Sequence, residues 1–276
     1  MNYDAWKQAG YRASLAHQSL RRCKLCPHNC GVDRTAGDKG FCLMDDGLRC
    51  FREVLHWGEE KELNPSHQVY FAGCNLRCDF CTVAEWNERP DAAKKSDIGQ
   101  IVEAIDLRKR QGAKNLNLLG GEPAVSIHGI LELLSQIDAS TKVVWNSNMY
   151  YNDFVDDLIA GLVDICLADI KCGNNKCAEQ LLGRADYLEV VKRNILLAAE
   201  HTDLIIRYLV LPGHAKCCLE PILNWLSAEL PTVKVSLRGN YVPPAQAKTA
   251  PAEYLPTEEF RRAVNCAARR GLMLIQ

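Results

Sequence analysis

Cys74, Cys78 and Cys81 stand in the run Gly73-Cys74-Asn75-Leu76-Arg77-Cys78-Asp79-Phe80-Cys81, spaced C-x3-C-x2-C. Thiolates are the usual ligands of iron–sulfur centres, and three on one short loop can wrap a compact cluster. A four-iron cube held by three thiolates keeps one iron without protein sulfur. Such an open position separates a catalytic metal site from a sealed structural one. On spacing alone, a zinc knuckle short of its fourth ligand or ordinary loop thiols would also serve. Further along stands Gly120-Gly121-Glu122-Pro123. Two glycines let a backbone approach a ligand closely, and Glu122 can accept hydrogen bonds from a cationic amino group.

A second set, Cys23, Cys26, Cys30 and Cys42, is spaced C-x2-C-x3-C-x11-C in a Gly-rich stretch with few apolar runs. That stretch can bury little surface, so four thiolates there point to a metal that holds it. A closed four-thiolate site suits zinc as well as an iron–sulfur cluster. The cluster is preferred, since the cell must deliver one to Cys74 in any case, and Cys50 could replace one ligand. Cys166 and Cys266 fall on apolar faces and read as small core residues. Cys172 with Cys177, and Cys217 with Cys218, read as incidental pairs.

These residues need elements to position them. Residues 3–20 read as a helix. From residue 67 short apolar runs alternate with amphipathic stretches: strands at 69–72, 115–119, 142–145, 163–170, 204–211 and 233–237. Helices are expected from Ser96, where Ile98, Ile101, Val102 and Ile105 share a face, and at 127–137, 152–162, 187–200, 219–230 and 257–270, the last ended by Gly271. This alternation predicts a parallel sheet with right-handed crossovers, in roughly six βα units of about 35 residues each. The expected fold is α/β, a partial (β/α)6 barrel over residues 67–276, with a helix and a Cys-rich metal-binding segment over 1–66. Both chemical motifs then fall at strand C-termini, where barrel sites lie.

The chain has 276 residues, 47% of them apolar and 24% charged, with net charge −1 and 14 cysteines. Near-neutral charge gives no global field to gather nucleic acid or an anionic membrane. No apolar run approaches the ~18 residues of a bilayer span, and the first residues lack a secretory pattern. A cytoplasmic protein with reduced thiols is expected. No phosphate-binding glycine loop and no Gly-x-Ser-x-Gly elbow is present.

The Cys74/Cys78/Cys81 loop, with Phe80 before its last cysteine, and the Gly120-Gly121-Glu122-Pro123 turn together resemble the radical S-adenosylmethionine superfamily. The resemblance implies a [4Fe–4S] cluster whose open iron chelates the amino acid part of S-adenosylmethionine, with Glu122 at the methionine amino group. It implies reductive cleavage to a 5′-deoxyadenosyl radical that abstracts hydrogen from a substrate. Asp169-Ile170-Lys171 is similar to the Asp-x-Lys of glycyl-radical-enzyme activating enzymes, near the S-adenosylmethionine carboxylate. Asn146 stands where those enzymes often carry Asp. Arg207, in a strand ending Pro212-Gly213-His214, is similar to the family's strand Arg, and His214 is a further candidate for the cofactor. The N-terminal block and Ala185-Asp186-Tyr187-Leu188-Glu189 resemble the pyruvate formate-lyase activating enzyme-like branch. A flavodoxin- or ferredoxin-type reductant is implied. The substrate would be a glycyl residue of a partner enzyme, a peptide or a small molecule. A non-catalytic iron–sulfur or zinc protein is the alternative of another class.

Overall fold

The computed structural model describes residues 3–245 and 247–275. Eight strands make one sheet in chain order: β1 (Cys50–His56), β2 (Ser66–Phe71), β3 (Asn115–Gly120), β4 (Val143–Ser147), β5 (Ile165–Asp169), β6 (Asp203–Leu209), β7 (Lys234–Arg238) and β8 (Met273–Leu274). β1 runs antiparallel to β2 and every later neighbour is parallel. Sequential parallel order is what successive right-handed crossovers produce, and it curls the sheet into an unclosed barrel. α1 (Tyr3–Lys7) and α2 (Ala9–Ser19) precede the sheet. The crossovers are α3 (Ala84–Glu88) and α4 (Ile98–Arg110), α5 (Ile127–Leu134), α6 (Asp153–Ile159), α7 (Asn175–Leu182) and α8 (Tyr187–His201), α9 (Glu220–Glu229) and α10 (Thr257–Ala268).

The six expected βα units are therefore present, with boundaries moved by a few residues. The strands are buried on both faces: Leu116, Leu118, Val143, Val144, Trp145, Leu167, Ile205 and Ile206 are all inaccessible or nearly so. That burial explains their near-continuous apolar runs. Asp97 starts α4 by accepting from the Gly99 amide at 2.8 Å, which satisfies a donor the first turn cannot pair. The expected N-terminal helix is interrupted at Gln8, giving α1 and α2.

α7 was not expected. Its N-cap Asn174 accepts from the Cys177 amide at 2.8 Å, and Gly183 closes it in the left-handed region at φ 75°. The Gly-Asn-Asn run that reads as a loop is thus a helix start. The N-terminal extension packs on the barrel. Arg12 donates to the Ala160 carbonyl at 2.6 Å, the His128 ring of α5 meets the Asp46 carbonyl at 2.8 Å, and Ala9, Ala16 and Leu20 join the barrel's hydrophobic core.

Candidate active site

The loop after β2 carries the three cysteines at the C-terminal end of the barrel. Gly73 opens it at φ +84°, where a Cβ would lie 2.4 Å from Met44 Cγ; only glycine turns there without displacing Met44. Cys74, Cys78 and Cys81 line a cavity of about 250 Å³ inside the barrel mouth and also one of about 610 Å³ on the outer side of the loop. Amides already point at the sulfurs: the Leu76 amide reaches Cys74 Sγ at 3.4 Å, and Asn87 Nδ2 reaches Cys81 Sγ at 3.4 Å.

Burial pushes the Cys74 thiol well up and the Cys78 thiol up to about 12, against the pull of the Lys171 charge and a backbone amide on Cys78. Free thiolates are thus disfavoured at this mouth, and a multiply charged metal centre is what reverses the preference. Three converging thiols, amide donors to sulfur and a cavity on the far side fit a cluster with one open iron.

The turn after β3 locks onto this loop. Gly120 adopts φ +123°, and a Cβ on Gly121 would lie 2.0 Å from the Gly73 carbonyl oxygen. The Gly121 amide donates to Phe71 O at 2.7 Å and the Glu122 amide to Gly73 O at 2.9 Å. Close approach of two backbones, as well as the cavity that both glycines line, explains the Gly-Gly pair. Glu122 departs from the expectation. Its carboxylate is fully buried and accepts from Ala124 N at 3.0 Å, Ser147 Oγ at 2.8 Å and Asn148 N at 2.9 Å. Burial raises its pKa to about 7 against the pull of those donors. The side chain fastens β4's end to the Cys74 loop and is not among the residues lining the inner cavity.

Other expected residues do converge there. Asn146, Asp169, Lys171, Arg207 and Phe80 line the inner cavity. Lys171 Nζ lies 2.9 Å from Asp169 Oδ2, and the Lys171 amide donates to the Tyr187 hydroxyl at 2.9 Å. Burial opposes the Lys171 charge, but Asp169 and Cys78 hold its pKa above the usual value. Asn146 Nδ2 is buried without a partner, a spare donor on a residue of the cavity wall. Arg207 is engaged by Glu60, from Nε to Oε1 at 2.9 Å, and by Glu59. Burial works against the Glu60 carboxylate, yet the Arg207 guanidinium holds it at about 2. Both glutamates lie in the connector before β2, which gave no sequence signal beyond two adjacent acids.

His214 is not brought to this cavity. The Pro212-Gly213 turn carries it past the barrel mouth, and its Nδ1 lies 3.4 Å from Cys217 Sγ. Cys177, His214, Cys217 and Cys218 place their ligand atoms within 4.8 Å of one another, so one cysteine of the first incidental pair and both of the second meet in one cluster.

Cys23, Cys26, Cys30 and Cys42 line one small cavity. Arg34, itself buried, extends toward it with Nη1 4.0 Å from Cys23 Sγ, while its other contacts are the carbonyls of Asp45 and Val125. Burial raises the Cys26 thiol to about 12. This block leans on the catalytic loop: the His28 ring meets Asn75 O at 2.9 Å, and the Arg77 guanidinium stacks over the Phe41 ring at 4.3 Å. No helix among the described residues is long and apolar enough to cross a membrane.

A family model described as the radical SAM superfamily matches residues 69–226. Over 273 residues the chain is 36% identical to uncharacterized protein MJ0674 of Methanocaldococcus jannaschii, covering 96% of this chain and 79% of that protein. A 7-carboxy-7-deazaguanine synthase of Clostridium acetobutylicum is 35% identical over 82 residues, 29% of this chain and 35% of that enzyme. Among solved structures, a radical SAM methyltransferase from Sphaerobacter thermophilus shares the fold at TM-score 0.56 and 15% identity, covering 83% of this chain and 76% of its own. Streptococcus suis SuiB bound to S-adenosylmethionine does so at TM-score 0.51 and 14% identity, covering 75% and 45%. The family match spans the cysteine loop, the Gly-Gly turn and the cavity they share, and the chain belongs to the radical SAM superfamily.

Proposed function

We propose that this protein is a radical S-adenosylmethionine enzyme of the activating-enzyme-like branch, acting on a glycyl residue of a partner polypeptide. The observation that carries the chemistry is the convergence of Cys74, Cys78 and Cys81 with the Asp169–Lys171 pair and the unpartnered Asn146 on one cavity. When bound there, the cluster and cofactor supply a 5′-deoxyadenosyl radical that takes a hydrogen atom from the substrate. The chain's own residues then have separate tasks. Lys171, held charged by Asp169, and the Asn146 amide orient the cofactor's polar end. Phe80 and the Gly120–Gly121 backbone shape a wall that limits water. Glu122 keeps the Cys74 loop and β4's end in register.

The branch assignment rests on Asp169-x-Lys171 and on the N-terminal block. Cys23, Cys26, Cys30 and Cys42 are assigned an auxiliary iron–sulfur cluster. They line one small cavity, and the Arg34 charge beside Cys23 suits an anionic thiolate-bound centre. A flavodoxin- or ferredoxin-type protein is the assigned electron donor, reaching the cluster from the outer cavity. A small-molecule or peptide substrate is the second reading, favoured by the likeness to a 7-carboxy-7-deazaguanine synthase.

Electron paramagnetic resonance separates these readings. Reduced protein given S-adenosylmethionine should show a changed cluster signal, absent in Cys78→Ala. With a glycyl partner present, a persistent protein radical should follow. Product 5′-deoxyadenosine formed on substrate turnover without any such radical would overturn the glycyl assignment in favour of the second reading.

A further inference from the structure

Two loops that leave neighbouring strands at the barrel mouth meet outside the cofactor cavity. After β5 come Cys172, Gly173, Asn174 and then Cys177 in the first turn of α7; after β6 come His214 and a turn of π-helix over Ala215–Leu219. Single π turns are rare and gather at functional sites. This one brings Cys217 and Cys218 back against His214, the residue that precedes it. The loops touch backbone to backbone: a Cβ on Gly173 would lie 2.1 Å from the Cys218 carbonyl oxygen.

Among the described residues, Cys177, His214, Cys217 and Cys218 are the one group of three or more potential ligands whose atoms all lie within 4.8 Å of one another. His214 Nδ1 is 3.4 Å from Cys217 Sγ and 3.9 Å from Cys218 Sγ. A tetrahedral zinc with three thiolates and one imidazole sets its ligand atoms roughly 3.5–3.8 Å apart, from bonds of about 2.3 Å to sulfur and 2.0 Å to nitrogen. A four-iron cube spreads its thiolates over a wider frame. The surroundings suit thiolates as well: Asn174 Nδ2 lies 3.1 Å from Cys177 Sγ and 3.7 Å from Cys218 Sγ, and it also donates to the Cys217 carbonyl at 2.6 Å. Such amide donors to ligand sulfur are the outer support that metal sites require. Cys172 stands beside the group, its thiol influenced most by Cys218.

We propose that Cys177, His214, Cys217 and Cys218 form a mononuclear zinc site, distinct from both other cysteine sets, that staples the loop after β5 to the turn after β6. Because Cys172 and Gly173 directly follow Lys171, the staple fixes the wall that carries the Asp169–Lys171 pair. The zinc is structural: four protein ligands leave no open position.

The test is metal analysis of the full chain purified without oxygen, by plasma mass spectrometry and X-ray absorption at the zinc edge. One zinc per chain is expected, with three sulfurs at about 2.3 Å and one nitrogen at about 2.0 Å. Cys177→Ser/Cys217→Ser should lose it, while Cys23→Ser/Cys26→Ser and Cys78→Ala should retain it. Should the double variant fail to fold, His214→Cys keeps four ligands and should hold zinc in a four-sulfur environment. Absence of zinc, iron in its place, or zinc that follows Cys23 and Cys26 would each overturn the proposal.

Discussion

Asn146 keeps a buried amide nitrogen unpaired in the wall of the inner cavity. An orphaned buried donor costs about 1–3 kcal/mol, a cost a ligand's acceptor would remove. Asn146→Ala should therefore leave the melting temperature unchanged or higher and weaken S-adenosylmethionine binding about tenfold, roughly 1.4 kcal/mol. Equilibrium dialysis without oxygen measures this, and unchanged affinity would remove Asn146 from the site. The spacing of Cys74, Cys78 and Cys81 was legible because metal ligation constrains both residue type and interval. The direction of Glu122 was not, since its rotamer answers to Ser147 and Asn148, more than twenty residues away. The sequence marks Arg207 only by its likeness to the family's strand Arg; that its partners are Glu59 and Glu60 depends on a contact across 147 residues. His214 was placed with the cofactor on sequence proximity to Arg207, and a single turn of backbone sends it to the thiols instead.

The elements matter most where two of them touch through backbone. Gly121 sits against the Gly73 carbonyl, so the end of β3 and the cysteine loop can meet only without a side chain between them. Gly121→Ala should push the loop outward and lower bound iron at Cys74, Cys78 and Cys81 by more than half, with far-UV circular dichroism unchanged. Full iron loading in a folded Gly121→Ala protein would contradict this coupling. Strands β2 to β7 were legible as apolar runs because both faces are covered. Residues 51–66 read from the sequence as a connector with one short strand, and β1 is that strand; its half-exposed residues Cys50–His56 carry no clean alternation to fix its bounds. α7 was hidden because its eight residues start at a side-chain cap within a turn-like run, too short for periodicity to show.

At the scale of the whole molecule, the N-terminal extension and the barrel share one core, and His128 marks the join. Its ring packs within the α5 face against the Asp46 carbonyl, and burial holds its pKa down to about 4. The unfolded chain takes up this proton near pH 6.5 and the folded chain only near pH 4. Stability from this residue is therefore complete above about pH 6.5 and lost as pH falls toward 4, by roughly 3 kcal/mol in total. In urea titrations of the metal-free protein, His128→Gln should lose less stability than the parent between pH 7 and 5. Equal losses would show that His128 does not carry the effect. The six-unit barrel was legible from the rhythm of the chain, whereas this join was not, because Asp46 and His128 are linked only through a backbone carbonyl.

The central claim is that the three-thiol loop holds a cluster with an open iron, directed at S-adenosylmethionine in the inner cavity. The most direct test is to purify the chain without oxygen, reconstitute iron and sulfide, add reductant and S-adenosylmethionine, and quantify 5′-deoxyadenosine against Cys78→Ala. The account predicts methionine and 5′-deoxyadenosine in equal amounts from the parent and at least a hundredfold less from the variant. A parent with full cluster loading that neither binds S-adenosylmethionine nor forms 5′-deoxyadenosine would contradict it.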